Sequence, residues 1–193
     1  FLNNDVEIIT ESWLEEMLQL CQQKDVGMAG AKLYYPDDTI QHAGVVVGLG
    51  GVAAHVLCKL PRDAEGYMGR LRCVQEISAV TAACMMVKTS VFKAVGGFDE
   101  ELKVAFNDID LCMKVRKYGV KIVFTPYAEL YHYESKSRGM EDTPEKQLRF
   151  SREVNCFRRK WERELLKGDP YYNPNLTLNN TDCSLRKQEK NGD

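Results

Sequence analysis

No apolar run in the 193 residues approaches the roughly 18 positions that a bilayer-spanning helix needs. No signal peptide is visible either. A charge excess is also missing. Lys and Arg number 26 against 28 Asp and Glu, a net charge of −2, which argues against bulk nucleic-acid binding, where a basic surplus is the rule. The seven cysteines include no C-x-x-C pair, so a structural zinc site is not expected. Their number is odd and several stand in apolar runs, which predicts buried free thiols in a reducing cytoplasm. There is no internal repeat, and no methionine opens the chain. What is present is a hydrophobic content of 44%, enough for the packed core of one domain or slightly less.

Local patterns predict alternating helices and strands, hence an α/β fold. Ser12-Trp13-Leu14-Glu15 has the form of a capping box. It opens a helix whose apolar positions Trp13, Leu14, Met17, Leu18 and Cys21 recur at helical spacing. Residues 26–35 and 40–47 read as strands around the turn Pro36-Asp37-Asp38. Gly48-Leu49-Gly50-Gly51-Val52-Ala53 nominally fits a dinucleotide fingerprint, but no amphipathic helix follows before Pro61, so it reads as a turn. Residues 54–73 look irregular, as a mobile loop would. Residues 76–87 are β-like. Residues 89–95 and 109–118 read as helices stopped by Gly96 and Gly119. Two further strands, 120–124 and 128–133, flank Thr125-Pro126. Thr143-Pro144 begins the longest helix, running to Gly168 with Phe150, Val154, Phe157, Trp161 and Leu165 as its buried stripe. Its charged positions, Arg149, Arg152, Arg158, Arg159, Lys160 and Arg163 alternating with Glu153, Glu162 and Glu164, read as a solvated face that could also lie against anionic lipid. Residues 1–140 form the body, 141–168 the helix, and 169–193 an extended or disordered tail.

The most informative stretch is Gly96-Gly97-Phe98-Asp99-Glu100-Glu101-Leu102, followed by Phe106-Asn107-Asp108-Ile109-Asp110-Leu111-Cys112. A glycine pair permits a sharp turn, and two carboxylates stand two residues apart where a loop enters a helix. The helix N-terminus favours their ionised form, although both could serve only as caps. Asn3-Asn4-Asp5 follows what reads as a strand end. There it is either an Asx turn or, since open α/β sheets place ligands at strand C-termini, a metal ligand. His132 ends a strand within Pro126-Tyr127-Ala128-Glu129-Leu130-Tyr131-His132-Tyr133-Glu134-Ser135. It is a core histidine or a ligand for metal or phosphate. Lys136 and Arg138 follow in a loop suited to a diphosphate, or to plain solvation. His42 and His55 receive no role.

Taken together and in this order, these motifs over residues 1–140 resemble the GT-A-fold glycosyltransferases of family 2, of the rhamnosyltransferase-like kind. That family carries a GGFDE box and an acidic E/N-D-x-D-L box. The resemblance implies a GT-A fold, here partial: a mixed sheet flanked by helices, with roughly the first, nucleotide-gripping half preceding Phe1 in a longer protein. It implies an inverting transfer from a nucleotide-sugar donor to a saccharide or lipid-linked acceptor. Asp108 is then the catalytic base, although Asn107 stands where many relatives have Glu. Asp5, with His132, would hold Mg²⁺ or Mn²⁺. Asn3, Lys136 and Arg138 would contact the donor diphosphate. Thr81, Ala82, Asp99, Asn107 and Asp110 would form the acceptor side, with Asp110 acting structurally or from behind, and Ala82 standing where the family often has Gly. A cytoplasmic place at the inner membrane face, no nucleic-acid partner, and self-association through the truncated face complete the expectation. Two other readings stay open: a metal-dependent nucleotidyltransferase, and a truncated binding module without catalysis.

Overall fold

The computed structural model describes residues 1–134 and 143–187. In chain order the elements are β1 (Val6–Ile8), α1 (Trp13–Cys21), β2 (Val26–Tyr34), β3 (Ile40–His42), β4 (Val45–Val47), β5 (Ala53–His55), β6 (Gln75–Glu76), β7 (Met85–Val87), α2 (Thr89–Ala94), α3 (Asn107–Lys117), β8 (Lys121–His132), α4 (Pro144–Lys160) and α5 (Glu162–Lys167). No helix among the described residues is long and apolar enough to cross a membrane.

The sheet is built on β2 and β8, which pair in parallel. β1 adds to β8 and β3 to β2, both antiparallel, giving the order β1-β8-β2-β3, while β6 pairs with β8 and β7 with β2. β4 and β5 form a separate hairpin. Every residue of β2 is buried, as expected of a strand covered on both faces. Its side chains alternate between two cores. Ala29, Ala31 and Leu33 pack with Met17, Leu20 and Cys21 of α1. Met28 and Tyr34 belong to the larger core with Leu111, Val115, Phe124 and Phe157. Gly30 has a specific reason to be glycine: a Cβ there would lie 2.3 Å from Val80 Cγ1, and Val80 is itself fully buried. Gly30→Ala is therefore expected to destabilise the fold by about 1–3 kcal/mol through overpacking, read as a lower urea midpoint. An unchanged midpoint would mean that the Val80 loop yields freely.

Several expectations need correction. The strand read over 40–47 is two, because Gly44 at φ +104° turns the chain between β3 and β4. Within 76–87 only β6 and β7 are extended; Ile77, Ala79, Val80, Ala83 and Cys84 lie in a buried connection between them. Periodicity does not separate such an apolar run from a strand. The stretch 54–73, read as irregular, contains the end of β5 and a 3₁₀ segment, Tyr67–Arg72. Conversely, the two strands around Thr125-Pro126 are the single strand β8. Its partners on β2 jump from Gly30↔Phe124 to Lys32↔Glu129, and that bulge accommodates a proline that cannot donate to the ladder. The long helix breaks at Trp161, whose φ of −115° separates α4 from α5.

Some side chains also depart from expectation. Ser12 makes no capping hydrogen bond from its side chain. Leu14, Leu18 and Phe150 are 47%, 44% and 42% exposed, whereas Leu20, outside the expected stripe, is buried. Glu153, assigned to the solvated face, is buried too. Residues 171–187 carry no helix or named strand, yet Tyr172, Leu176 and Cys183 are buried in the main core, so this stretch is not a loose appendage. The seven thiols are free; Cys21, Cys84, Cys112 and Cys183 are buried and Cys73 is exposed.

Candidate functional site

The C-terminal end of β8 lies between β1 and β2, and β3 lies beyond β2. Val6 pairs with His132, so Asp5, one residue earlier, arrives beside the imidazole. Its Oδ1 lies 3.3 Å from His132 Nε2 and is buried without a hydrogen-bond partner. Gln41 of β3 determines what faces it. Its Nε2 donates to the His132 carbonyl at 3.2 Å and to Glu134 Oε2 at 3.4 Å, which leaves Oε1 to accept from His132 Nδ1 at 2.7 Å. The His132 proton therefore sits on Nδ1, and Nε2 presents a lone pair that accepts from Asn3 Nδ2 at 3.2 Å. An imidazole lone pair and an orphaned carboxylate oxygen thus converge with no proton between them. A divalent cation would relieve this arrangement, and an amide such as Gln41 that accepts from the far ring nitrogen and orients the imidazole is typical of metal-ligating histidines. Asp5 and His132 fit such an ion as two protein donors. Among the described residues no group of three His, Cys, Asp or Glu is placed to ligate one.

Asp108 stands in the first turn of α3. Its Oδ2 accepts from the Ala82 amide at 3.1 Å and its Oδ1 from the Ile109 amide at 2.9 Å. The neighbouring Thr81 amide donates to His42 Nε2 at 3.5 Å. The 81–84 segment also joins the N-terminal strand end, since the Asn3 amide donates to the Ala83 carbonyl at 3.0 Å. Asn3, Asp5, Thr81, Ala82, Asn107, Asp108 and His132 therefore belong to one connected region. The small side chain at 82 leaves its backbone amide accessible to Asp108, while the Ala83 amide donates to Thr81 Oγ1 at 3.3 Å.

Asp99 and Asp110 lie elsewhere. Asp110 is fully buried, ringed by Trp161 Nε1 at 2.8 Å, Lys160 Nζ at 2.8 Å and Lys114 Nζ at 3.0 Å. It sits behind the site and has no surface to offer an acceptor. Asp99 pairs with the same Lys160, whose hydrogen bond holds the Asp99 carboxyl below its ordinary range. Burial alone would lower the Lys160 ammonium, but hydrogen bonds to Asp110 and Asp99 outweigh it and raise it. The loop entering α3 is held by Glu153 of α4, whose carboxylate accepts from the amides of Lys103, Val104 and Ala105 at 3.1, 3.1 and 2.9 Å. Lys136 and Arg138 lie outside the described residues.

Sequence reasoning missed Gln41, His42 and His55. Their signal was present: Gln41 and His42 are two polar residues inside an apolar strand run, and they are 4% and 0% exposed. His42 Nδ1 lies 2.9 Å from His55 Nδ1. Burial pushes the His42 imidazole well below its ordinary pKa. Burial lowers His55 as well, against the opposing charges of Asp108 and Glu134.

Comparison with known proteins identifies the family. The family described as glycosyltransferase like family 2 matches residues 2–152. The O-antigen biosynthesis protein RfbC of Myxococcus xanthus is 40% identical over 194 residues, all of this chain and 15% of that protein. The uncharacterised protein y4gI of Sinorhizobium fredii is 57% identical over 185 residues, 95% of this chain and 20% of that one. An N-acetylglucosaminyl-diphospho-decaprenol L-rhamnosyltransferase of Mycobacterium tuberculosis is 36% identical over 62 residues, 32% of this chain and 20% of its own. The matched segments therefore span a fifth or less of the length of these relatives. With its mixed sheet flanked by helices in the manner of a GT-A domain, the chain belongs to the family 2 glycosyltransferases.

Proposed function

We propose that the protein containing this chain transfers a sugar from a nucleotide-sugar donor to a saccharide or lipid-linked acceptor, with inversion, in the synthesis of a surface polysaccharide. The observation that carries this reading is the meeting, at the C-terminal end of the parallel strand β8, of the orphaned Asp5 Oδ1 with the His132 Nε2 lone pair, beside a second carboxylate at a helix N-terminus. The names of the relatives, an O-antigen biosynthesis protein and an N-acetylglucosaminyl-diphospho-decaprenol L-rhamnosyltransferase, favour a deoxyhexose donor and a lipid-linked acceptor.

Asp108 is the proposed base. Two amides hold its carboxylate, and it takes the proton of the attacking hydroxyl as the bond to the anomeric carbon forms. The electron pair of the breaking anomeric bond leaves on the nucleoside diphosphate. Bound between Asp5 and His132, Mg²⁺ or Mn²⁺ would neutralise charge on that diphosphate. Asn3 Nδ2 donates to the His132 Nε2 lone pair and helps fix the ring's orientation. Thr81, Ala82 and Asn107 border the acceptor side. The competing reading, a nucleotidyltransferase, shares the metal chemistry but releases pyrophosphate. An apolar groove of about 310 Å³, lined by residues that include Phe1, Leu2, Trp13, Met17, Met86 and Phe92, supports self-association of the isolated chain.

The test is product analysis of the full-length protein supplied with labelled nucleotide sugars and membranes of its source. Nucleoside diphosphate together with labelled glycan is expected; pyrophosphate overturns the reading. Asp5→Ala should lower metal-stimulated turnover at least about a hundredfold, the scale of losing charge stabilisation at a leaving group, with an unchanged circular dichroism spectrum. Near-normal turnover in that variant removes Asp5 from the metal.

A further inference from the structure

The chain has three histidines, and all three meet at this site, yet the mechanism above uses one. The other two form a pair on β3 and β5, His42 buried and His55 half buried. Their rings stand edge to face, with centroids 4.9 Å apart, and their Nδ1 atoms are 2.9 Å apart. A hydrogen bond at that distance needs one Nδ1 to carry a proton and the other to accept it. The backbone decides which. An amide can only donate, so Thr81 N–H, at 3.5 Å, requires a lone pair on His42 Nε2. His42 is fully buried and neutral, so its single proton lies on Nδ1 and is donated to His55. His55 Nδ1 is then the acceptor, and the proton of its neutral ring lies on Nε2.

That Nε2–H makes no hydrogen bond among the described residues. His55 is only half buried, and the carboxylates of Asp108 and Glu134 lie close enough to act on its charge. The same two-residue step of backbone, Thr81-Ala82, holds His42 through one amide and Asp108 through the next, so the orientation of the pair and that of the carboxylate are tied together. A phosphate at His55 would meet two like charges. A neutral hydroxyl would not. Its oxygen accepts from N–H while its hydrogen points to a carboxylate.

We propose that His55 is an acceptor-contact residue, its Nε2–H donating to the oxygen of the sugar hydroxyl whose proton Asp108 takes, and that His42 fixes this polarity. The inference rests on the glycosyl-transfer reading. In the step itself the hydroxyl proton passes to Asp108, the oxygen bonds to the anomeric carbon, and the diphosphate departs with the electron pair of the old bond. His55 keeps its proton throughout and, by donating it to the hydroxyl oxygen, fixes which way that oxygen's remaining lone pair points.

Two measurements test this. The first is independent of any reaction: ¹⁵N NMR of the histidine rings in the chain labelled at histidine. Protons on His42 Nδ1 and His55 Nε2 are expected; a proton on His55 Nδ1 overturns the proposal. The second uses the full-length protein with labelled nucleotide sugars and native membranes. His55→Phe keeps a ring but removes the donor, so kcat/KM for the acceptor should fall about tenfold or more while the donor KM holds. His55→Gln, whose amide can reach the Nε2 position, should recover part of the loss. Unchanged acceptor kinetics in His55→Phe, or an equal change in donor KM, overturns the acceptor contact. If the wild type itself makes no glycan and no nucleoside diphosphate, the glycosyl-transfer reading and the acceptor contact built on it both fall, while the ring NMR still decides the polarity of the histidine pair.

Discussion

Asp108→Asn in the full-length protein is expected to lower sugar transfer by about 10²–10⁴-fold, the usual contribution of a positioned general base. The substitution preserves size, and the amide oxygen can still accept from Ala82 N–H or Ile109 N–H, each of which now meets the carboxylate. Loss of turnover is therefore separable from loss of the cap. Donor affinity should change little, because the side chain faces the 81–82 segment rather than the Asp5–His132 pair. Steady-state kinetics over varied donor and acceptor make the check. A parallel loss of donor binding, or a lowered melting temperature of the same size as in an Asp108→Ala control, would assign Asp108 to capping instead.

Glu153→Ala is expected to have the largest effect on stability, about 3 kcal/mol, since it removes the acceptor shared by three consecutive amides and leaves them to water or to nothing. Those amides, at 103–105, lead directly into Phe106, which adopts the left-handed conformation at φ +63°. A non-glycine residue is held there only when its surroundings over-determine it; the Phe106 ring lies 5.3 Å from that of Phe157 and 5.8 Å from that of Phe150. Asn107 and Asp108 follow at once, so transfer should fall together with stability. Glu153→Gln, which keeps one acceptor oxygen, should fall between wild type and Ala on both measures. Urea denaturation followed by fluorescence reads the first and the transfer assay the second. A wild-type midpoint for Glu153→Ala would show that the loop is held by its aromatic contacts alone.

Much of this was legible from local pattern. β2 announced itself as an apolar run broken only by Lys32, α3 by acidic residues at its start and Gly119 at its end, and α4 by Thr143-Pro144, where the Thr143 side chain indeed accepts from the Lys146 amide. Each of these signals is carried by a few adjacent residues, so no distant partner is required to read it. The same holds for the family resemblance, which rests on short motifs in a fixed order. The pieces that failed were those decided at a distance. Phe150 and Phe157 share one helical stripe, yet only Phe157 is wholly covered, because coverage depends on which elements pack against each turn. Glu153 looks like any other charge on a solvated helix until the 103–105 loop is laid across it.

The sequence by itself determined most of the element types, the approximate position of the sheet core and the identity of the chemical groups, since backbone propensity, hydrophobic period and side-chain ionisation are local properties. Only the tertiary structure decided which of those groups meet. Asp5 and His132 are 127 positions apart, and the Val6↔His132 register of β1 against β8 brings them to 3.3 Å. Asp108 and Asp110 are nearly indistinguishable as sequence, but two residues of helix rotate the side chain by about 200°, which turns the first toward Ala82 and buries the second against Trp161 and two lysines. His42 and His55 are unremarkable alone. Their protons acquire a direction only because an amide from a third segment, Thr81, can donate and cannot accept.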